Sequence, residues 1–386
     1  MEGVSMSSDI ILANKLPRKL SQKSKDFHDM MKRGMDGKNV GLEFASSGLQ
    51  RYLYGVSQSR MYLCGADSAV GKTTITDFLF VLSSWYQSKR QNIPFDCTYF
   101  SFEIGENDKR ARWLSYFVFM TYGIRLPSEY LLGRNPKKLL SKDHWEMSLA
   151  CLDQLDEIMS DIHFLDHAMN PTGVFHHMIE HAKTLGEITY EEFEAPKTKE
   201  LKKRISGFKP RHPQQISIVV MDHIALLTEE SGNDTKRNID TMSKYCVFLR
   251  NKLMYSPVII QQFNTGLSSI ERQKFKQGAI APQRVDFGDS SYSYRDSDVV
   301  LGLIKPNSFD LEEFHNYDVS KFKDYLVMMF IMKNRYGPAN KMIPFCLDPI
   351  AGMVHDLASP SNILLLEPSY DLVDELNKVQ NEFSQI

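Results

Sequence analysis

Met61-Tyr62-Leu63-Cys64-Gly65-Ala66-Asp67-Ser68-Ala69-Val70-Gly71-Lys72-Thr73-Thr74 is the stretch whose reading decides the fold. A short apolar run leads into a turn of small residues, and Gly-Lys-Thr then opens an amphipathic segment. That order reads as strand, loop, helix. A helix N-terminus presents unpaired N–H groups and the positive end of the helix dipole, so a tight loop feeding it can wrap polyphosphate oxygens. In the pattern G-x-x-x-x-G-K-[ST], Lys72 reaches the β- and γ-phosphates and Thr73 ligates Mg²⁺. Ala66 stands where the pattern has its first glycine, with Gly65 one residue early. Taken alone, the stretch also fits an ordinary strand-turn-helix corner.

Outward from this loop, three apolar runs end on polar groups. Asp96 to Glu103 (DCTYFSFE) is β-rich and closes on Glu103, which either works at a strand end or caps the following helix. Ile216-Ser217-Ile218-Val219-Val220-Met221-Asp222 has the form of a buried parallel strand, continuous in apolar β-formers. Its terminal carboxylate, Asp222, suits the water shell of Mg²⁺ beside the phosphate loop, which makes it the partner of Thr73. Val258-Ile259-Ile260-Gln261-Gln262 ends on Gln262, whose amide both donates and accepts and so can sense a γ-phosphate or a bound strand. The loop and the Asp222 strand, both in one α/β chain and in this order, separate a nucleotide site from a mere corner.

The remainder reads as α/β. Helices are expected over Thr74–Arg90, Arg110–Tyr122, His144–Ile158, Thr172–Lys183 and Asp240–Met254, with further strands at Ile162–Asp166, Asp298–Ile304, Tyr325–Lys333 and Lys341–Leu347. The last two make a hairpin around Gly337-Pro338. A basic arm with a short helix near Ser21–Arg33 fills residues 1–40, the α/β domain spans 41–357, and a polar tail or weak helix covers 358–386. Residues 185–215 read as a charged insertion, either a solvated face or a basic helix touching nucleic acid. His163, His167, His176, His177 and His181 invite a metal reading, but no cysteine or paired carboxylate accompanies them in the sequence, and His176 and His177 point to different helix faces.

Composition sets limits. The chain has 386 residues, 42% apolar and 24% charged, which is ordinary for a soluble protein able to bury a core. A formal net charge of −2 excludes a global basic field, so any nucleic-acid surface is local. Cys64, Cys97, Cys151, Cys246 and Cys346 are scattered without a C-x-x-C pair, arguing against zinc and disulfide frameworks and for reduced, buried thiols. No apolar signal core and no run of eighteen apolar residues is present, and a cytoplasmic protein without a membrane partner is the expectation.

Together the loop, the three strand ends and the hairpin resemble the RecA-like motor domain of the DnaB family of hexameric replicative helicases, in a divergent, phage-type version. The residues that carry the resemblance are Ala66 in the first glycine position, Phe100-Ser101-Phe102-Glu103, the run Asp289 to Val300, and Lys333-Asn334-Arg335-Tyr336-Gly337-Pro338. The fold it implies is an α/β RecA-like P-loop core, a mostly parallel central sheet flanked by helices, with an N-terminal arm and a C-terminal β-hairpin. The activity it implies is ATP-dependent translocation on single-stranded DNA by a ring of six subunits in replication, with ATP and Mg²⁺ as cofactors. Residues Ala66, Asp67, Ser68, Ala69, Val70, Gly71, Lys72, Thr73 and Thr74 would hold the nucleotide, and Thr73 and Asp222 the metal. Glu103 would polarise the attacking water, Gln262 would couple the γ-phosphate to the DNA loops, and Lys333 and Arg335 would act on the neighbouring subunit's nucleotide. Loops carrying Lys236, Arg237, Arg272, Lys274 and Lys276 would follow the DNA backbone, and a loader or primase is an implied partner. The same residues also fit a RecA- or KaiC-like ATPase that binds DNA as a recombinase or switch without unwinding.

Overall fold

The computed structural model describes residues 21–134, 139–194, 199–230, 232, 234–264, 280–288 and 291–384. The chain divides into two compact units between Val40 and Gly41. In the first, helix α1 (Gln22–Met35) starts where the Ser21 side chain accepts the Ser24 N–H and ends with Lys32 and Arg33 at its negative pole.

The second unit runs in the order α2 (Ser47–Leu53), β1 (Tyr62–Ala66), helix α3, β2 (Phe95–Ser101), α4 (Glu106–Tyr122), α5 (Lys142–Ala150), α6 (Leu152–Ser160), β3 (Ile162–Leu165) and α7 (Pro171–Leu185). It continues through β4 (Gly186–Glu194), β5 (Leu201–Pro210), β6 (Ile216–Asp222), α8 (Thr235–Leu253), β7 (Ser256–Gln262), α9 (Ser291–Asp296), β8 (Val299–Ile304), β9 (Leu326–Asn334), β10 (Lys341–Asp348), β11 (Met353–Asp356) and α10 (Ile363–Ser384). Helix α3 is composite: Lys72–Thr76 is α-helical, Asp77–Leu82 is π-helical and Ser83–Gln91 is α-helical again.

The main sheet has the order β11-β10-β9-β8-β1-β7-β6-β2-β3. From β8 to β3 all pairs are parallel, and β9, β10 and β11 add on antiparallel. Alternation along each strand sorts side chains between two cores. Tyr62, Cys64, Val258, Ile260 and Leu301 face one, and Leu63, Ile259, Val300 and Met221 face the other. Because helices cover both faces, the central strands carry no polar side, which is why they read as unbroken apolar runs. β1 lies in the middle, between β7 and β8, and its C-terminal end opens into the phosphate loop. In parallel sheets ligands bind at this end, where the strand order reverses.

Several sequence expectations change here. Among its described residues the insertion 185–215 is an antiparallel hairpin, β4–β5, rather than a basic helix, with a bulge between Thr189 and Tyr190. Arg204 pairs with Glu191 across the strands at 2.7 Å and Lys199, just before β5, with Glu194 at 3.4 Å, so part of its charge is neutralised within the hairpin. The segment 144–158 is two helices broken at Cys151. The C-terminal segment forms the 22-residue α10, which buries Leu366, Val373 and Leu376. Arg125 ties it down by bonding Glu375 at 2.5 Å and Asp348 at 2.6 Å. All five cysteines are free and buried. Among the described residues no helix is long and apolar enough to cross a membrane.

Gly65 answers to packing. A Cβ there would lie 2.4 Å from ring atoms of both Phe263 and Phe287, two buried residues whose rings meet edge to face. Gly65→Ala is expected to lower stability by about 1–3 kcal/mol through overpacking. Urea unfolding midpoints of the two proteins check this.

Candidate active site

The loop from Asp67 to Gly71 turns by placing Ala69 (φ 60°) and Gly71 (φ 93°) in the left-handed region. Gly71 is the N-cap of α3, and a Cβ on it would meet Leu347 Cδ2 at 2.8 Å. Ala66 lies within β1, in register with Gln262 and Leu303. Its departure from the glycine pattern therefore has no backbone consequence, since an extended strand residue gains nothing from glycine.

Thr73, on the first turn of α3, donates to Asp222 Oδ1 at 3.2 Å. Two oxygens at this separation fit adjacent corners of a Mg²⁺ octahedron, whose edges are about 3 Å. Asp222 is fully buried at the end of β6. Burial raises its carboxyl above the usual range, with Lys109 pulling it down and Asp77 pushing it up. Glu103 lies two residues past the end of β2, exposed, in the turn before α4. Gln262, also exposed, lines a cleft of about 320 Å³ with Asp67, Ser68, Val70 and Lys305.

Beneath the loop lies a buried charge cluster that sequence reading missed. Lys109 Nζ donates to Asp77 Oδ2 and to the Tyr99 hydroxyl, both at 2.8 Å, and sits 3.9 Å from Asp222 Oδ2. Tyr99 donates to Asp77 Oδ1 at 2.7 Å, and Trp113 Nε1 donates to Asp77 Oδ2 at 3.2 Å. Lys109 has no exposed surface. Burial and the two carboxylates raise the Tyr99 phenol well above its ordinary value. The available signal was Asp77 one helical turn after Thr73, on the same face of a helix otherwise apolar there. A second missed residue is Lys305, just beyond β8, which donates to the Ala69 carbonyl at 2.9 Å. Burial lowers its pKa.

Lys333 and Arg335 lie elsewhere. Lys333 pairs with Val300 and Asn334 with Val299, at the start of β8, whereas Ala66 pairs with Leu303 near its end. At about 3.3 Å per residue, the four steps from Val299 to Leu303 place the two ends roughly 13 Å apart along the strand. Lys333 Nζ donates to the Tyr294 and Arg295 carbonyls at 3.0 and 2.7 Å. Burial, then the neighbouring Arg335, lowers its pKa to about 8. Arg335 donates to Asp298 Oδ1 at 2.8 Å, and the same buried carboxylate accepts from Arg250 and from the Met61 N–H, each at 2.9 Å. A structural route joins this corner to the cleft: Gln261, next to Gln262, bonds Ser293 of α9 at 2.8 Å.

Lys236 and Arg237, expected in a loop, are in the first turn of α8, where the Arg237 N–H is capped by Asp234. Arg272, Lys274 and Lys276 lie outside the described residues, as do Asp289 and Ser290.

Residues 160–346 match the family model described as DnaB-like helicase C terminal domain. This segment of the chain is similar to the DnaB-like helicase family. The matched segment holds Asp222, Gln262, Lys333 and Arg335, while the phosphate loop and Glu103 precede it. Two solved structures share the fold. One, described as a DnaB-like replicative helicase and its interactions with primase, is 14% identical at a TM-score of 0.60, over 89% of this chain and 68% of that one. The other, described as an ATPase domain, is 15% identical at 0.61, over 88% of this chain and 100% of that domain. Comparison with curated proteins returns no match.

Lys109→Met would leave Asp77 and Asp222 buried without their counter-charge. Its expected cost is about 3–5 kcal/mol in urea unfolding, partly recovered by adding Asp77→Asn. Equal stability of wild type and the single variant would show that the ammonium is not holding the cluster.

Proposed function

We propose that this protein is an ATP-driven DNA helicase motor that works as a ring of six identical subunits on single-stranded DNA in replication. In this reading residues 41–357 form the motor and residues 1–40 an arm. The observation that carries the reading is the separation within one sheet: the phosphate loop is at one end of the central strands and Lys333 with Arg335 at the other. Those cations are out of reach of their own subunit's γ-phosphate, so a neighbour's nucleotide is their target. The developing charge on a transferring phosphoryl group needs such cations, which makes assembly a condition of hydrolysis.

Within one subunit, backbone N–H groups of the loop and Lys72 would hold the phosphates. Thr73 and Asp222 would hold Mg²⁺, which supplies positive charge against the phosphate oxygens. Glu103, exposed beside Asp222's strand, would orient and deprotonate the attacking water. Gln262 would contact the γ-phosphate across the cleft, and its neighbour Gln261 would pass the contact to α9, whose carbonyls hold Lys333 and Arg335. Lys236, Arg237, Arg272, Lys274 and Lys276 would meet the DNA backbone in a central channel, giving salt-dependent, sequence-tolerant binding.

ATP turnover is expected to rise on adding oligo-dT, and a forked duplex to be unwound in the presence of ATP and Mg²⁺. No stimulation by single-stranded DNA in any assembly state would sink the proposal. Stimulated turnover and ATP-dependent assembly without strand separation would instead favour the recombinase or switch reading. Glu103→Gln should cut kcat by about 10²–10⁴-fold while ATP binding persists. Unchanged turnover would remove Glu103 from the role.

A further inference from the structure

We propose a second metal site, for a divalent ion of the zinc class, formed by Asp96, His163 and His181 at the sheet end opposite the phosphate loop. Asp96 is the second residue of β2, His163 lies on the edge strand β3, and His181 is on the last turns of α7. In the sequence the histidines argued against a metal because no cysteine or paired carboxylate accompanied them. The fold supplies a carboxylate from far upstream. Among the described residues, one donor atom from each of the three falls within 4.8 Å of the others.

Two observations point to a ligand. First, Asp96 Oδ2 and His181 Nε2 are both buried without a hydrogen-bond partner, and each residue has only 8% of its surface exposed. Buried polar atoms left so are costly, and a coordinated cation would remove the cost at both. Second, the hydrogen-bond partners on the far side of His181 allow the ligating form of its ring. The Tyr255 hydroxyl lies 3.3 Å from the Met178 carbonyl and 2.9 Å from His181 Nδ1, so it can donate to the carbonyl and accept from Nδ1, or donate to Nδ1 instead. In the first arrangement the proton is on Nδ1, and the Nε2 lone pair faces Asp96 Oδ1 at 3.3 Å. A lone pair against a carboxylate is repulsive unless a cation lies between them. A neutral imidazole whose other nitrogen donates to a fixed acceptor is the usual arrangement of a metal-bound histidine.

The spacing suits the chemistry. Tetrahedral zinc with bonds of about 2.0–2.1 Å has ligand–ligand edges of about 3.3 Å. The His181–Asp96 edge already has that length, and His163 Nε2 is 3.8 Å from Asp96 Oδ1. His163 is half-exposed and free to close the remaining few tenths of an ångström. Two imidazoles and a carboxylate suit zinc better than Mg²⁺ or Ca²⁺, which prefer all-oxygen sets. A cleft of about 560 Å³, lined also by His177 and Glu180, leaves the fourth position open to water. Asp96 and Ser101 are five residues apart on β2, about 17 Å, so this site is separate from the nucleotide. It would pin the edge strand β3 and helix α7 to the sheet.

The test is titration of the full chain, freed of metal by chelation, with Zn²⁺ by calorimetry and with Co²⁺ by visible absorption, for wild type, His163→Gln and His181→Gln. His163→Gln changes a half-exposed side chain and is the variant least able to disturb folding. Wild type is expected to bind one more equivalent than His163→Gln, or to bind it at least about tenfold tighter, since even loss of an outer hydrogen bond costs that much. It should also show the intense absorption of four-coordinate Co²⁺, and Zn²⁺ should raise its Tm but not that of His163→Gln. Equal Zn²⁺ binding by wild type and His163→Gln would overturn the proposal. So would a proton found on His181 Nε2 by ¹⁵N NMR in the Zn²⁺-treated protein, which would make the contact an ordinary Asp–His ion pair.

Discussion

A single buried ammonium holds the floor of the phosphate loop together. Asp77 and Asp222 stand on different elements, a π-helical turn and a strand end, and both are almost wholly out of water. Without Lys109 between them they would repel, and one would take up a proton. With Lys109, Tyr99 and Trp113 in place, Asp222 is fixed where Thr73 meets it. The π-helical stretch begins at Asp77 itself, so the local helical irregularity and the charge cluster coincide. Buried ion clusters of this kind are weak evidence for stability, but removing one member is severe. The cluster positions the carboxylate, and Lys109, with no exposed surface, is held wholly within it.

The sheet does the second piece of positioning. Parallel strands send all their C-terminal ends one way, so Ala66, Asp222 and Gln262 gather at one edge without any local sequence relation among them. An antiparallel strand, β9, returns in the opposite direction and carries Lys333 to the other edge. Asp298 fixes that corner by accepting from Arg335, Arg250 and the backbone of Met61. On the proposed reading each chain thus offers a nucleotide-holding edge and a cation edge, and a ring is the arrangement that joins them. Gln261 and Ser293 give the two edges a hydrogen-bonded link through α9.

Much of this was legible in the sequence because buried parallel strands announce themselves. β6 and β7 are apolar until their last residues, so Asp222 and Gln262 stood out as groups at strand ends. The strand-loop-helix corner after β1 was legible for the same reason, and the missing glycine at position 66 has no backbone consequence, since the left-handed turns fall at Ala69 and Gly71. What failed to show has physical causes too. The β4–β5 hairpin hid because its bulge breaks the two-residue period and part of its charge is neutralised within the hairpin, so only a charge run was visible. Lys109 hid because one lysine in a helix looks like part of a solvated face until its tertiary partners are known. Asp96 hid for the same reason: its histidine neighbours come from β3 and α7, brought beside it only by the sheet.

The central claim is that each hydrolytic site is built from two subunits, and complementation between two damaged chains tests it most directly. Lys72→Ala would spoil the phosphate loop but leave the cation edge intact, and Arg335→Ala would do the reverse. Each alone should have little DNA-stimulated ATPase activity. Mixed and allowed to assemble, they should regain a measurable fraction of it, because some interfaces then pair an intact loop with an intact Arg335. Wild-type turnover by Arg335→Ala alone, or mixtures as inactive as their parts at every ratio despite shared assembly, would contradict the account.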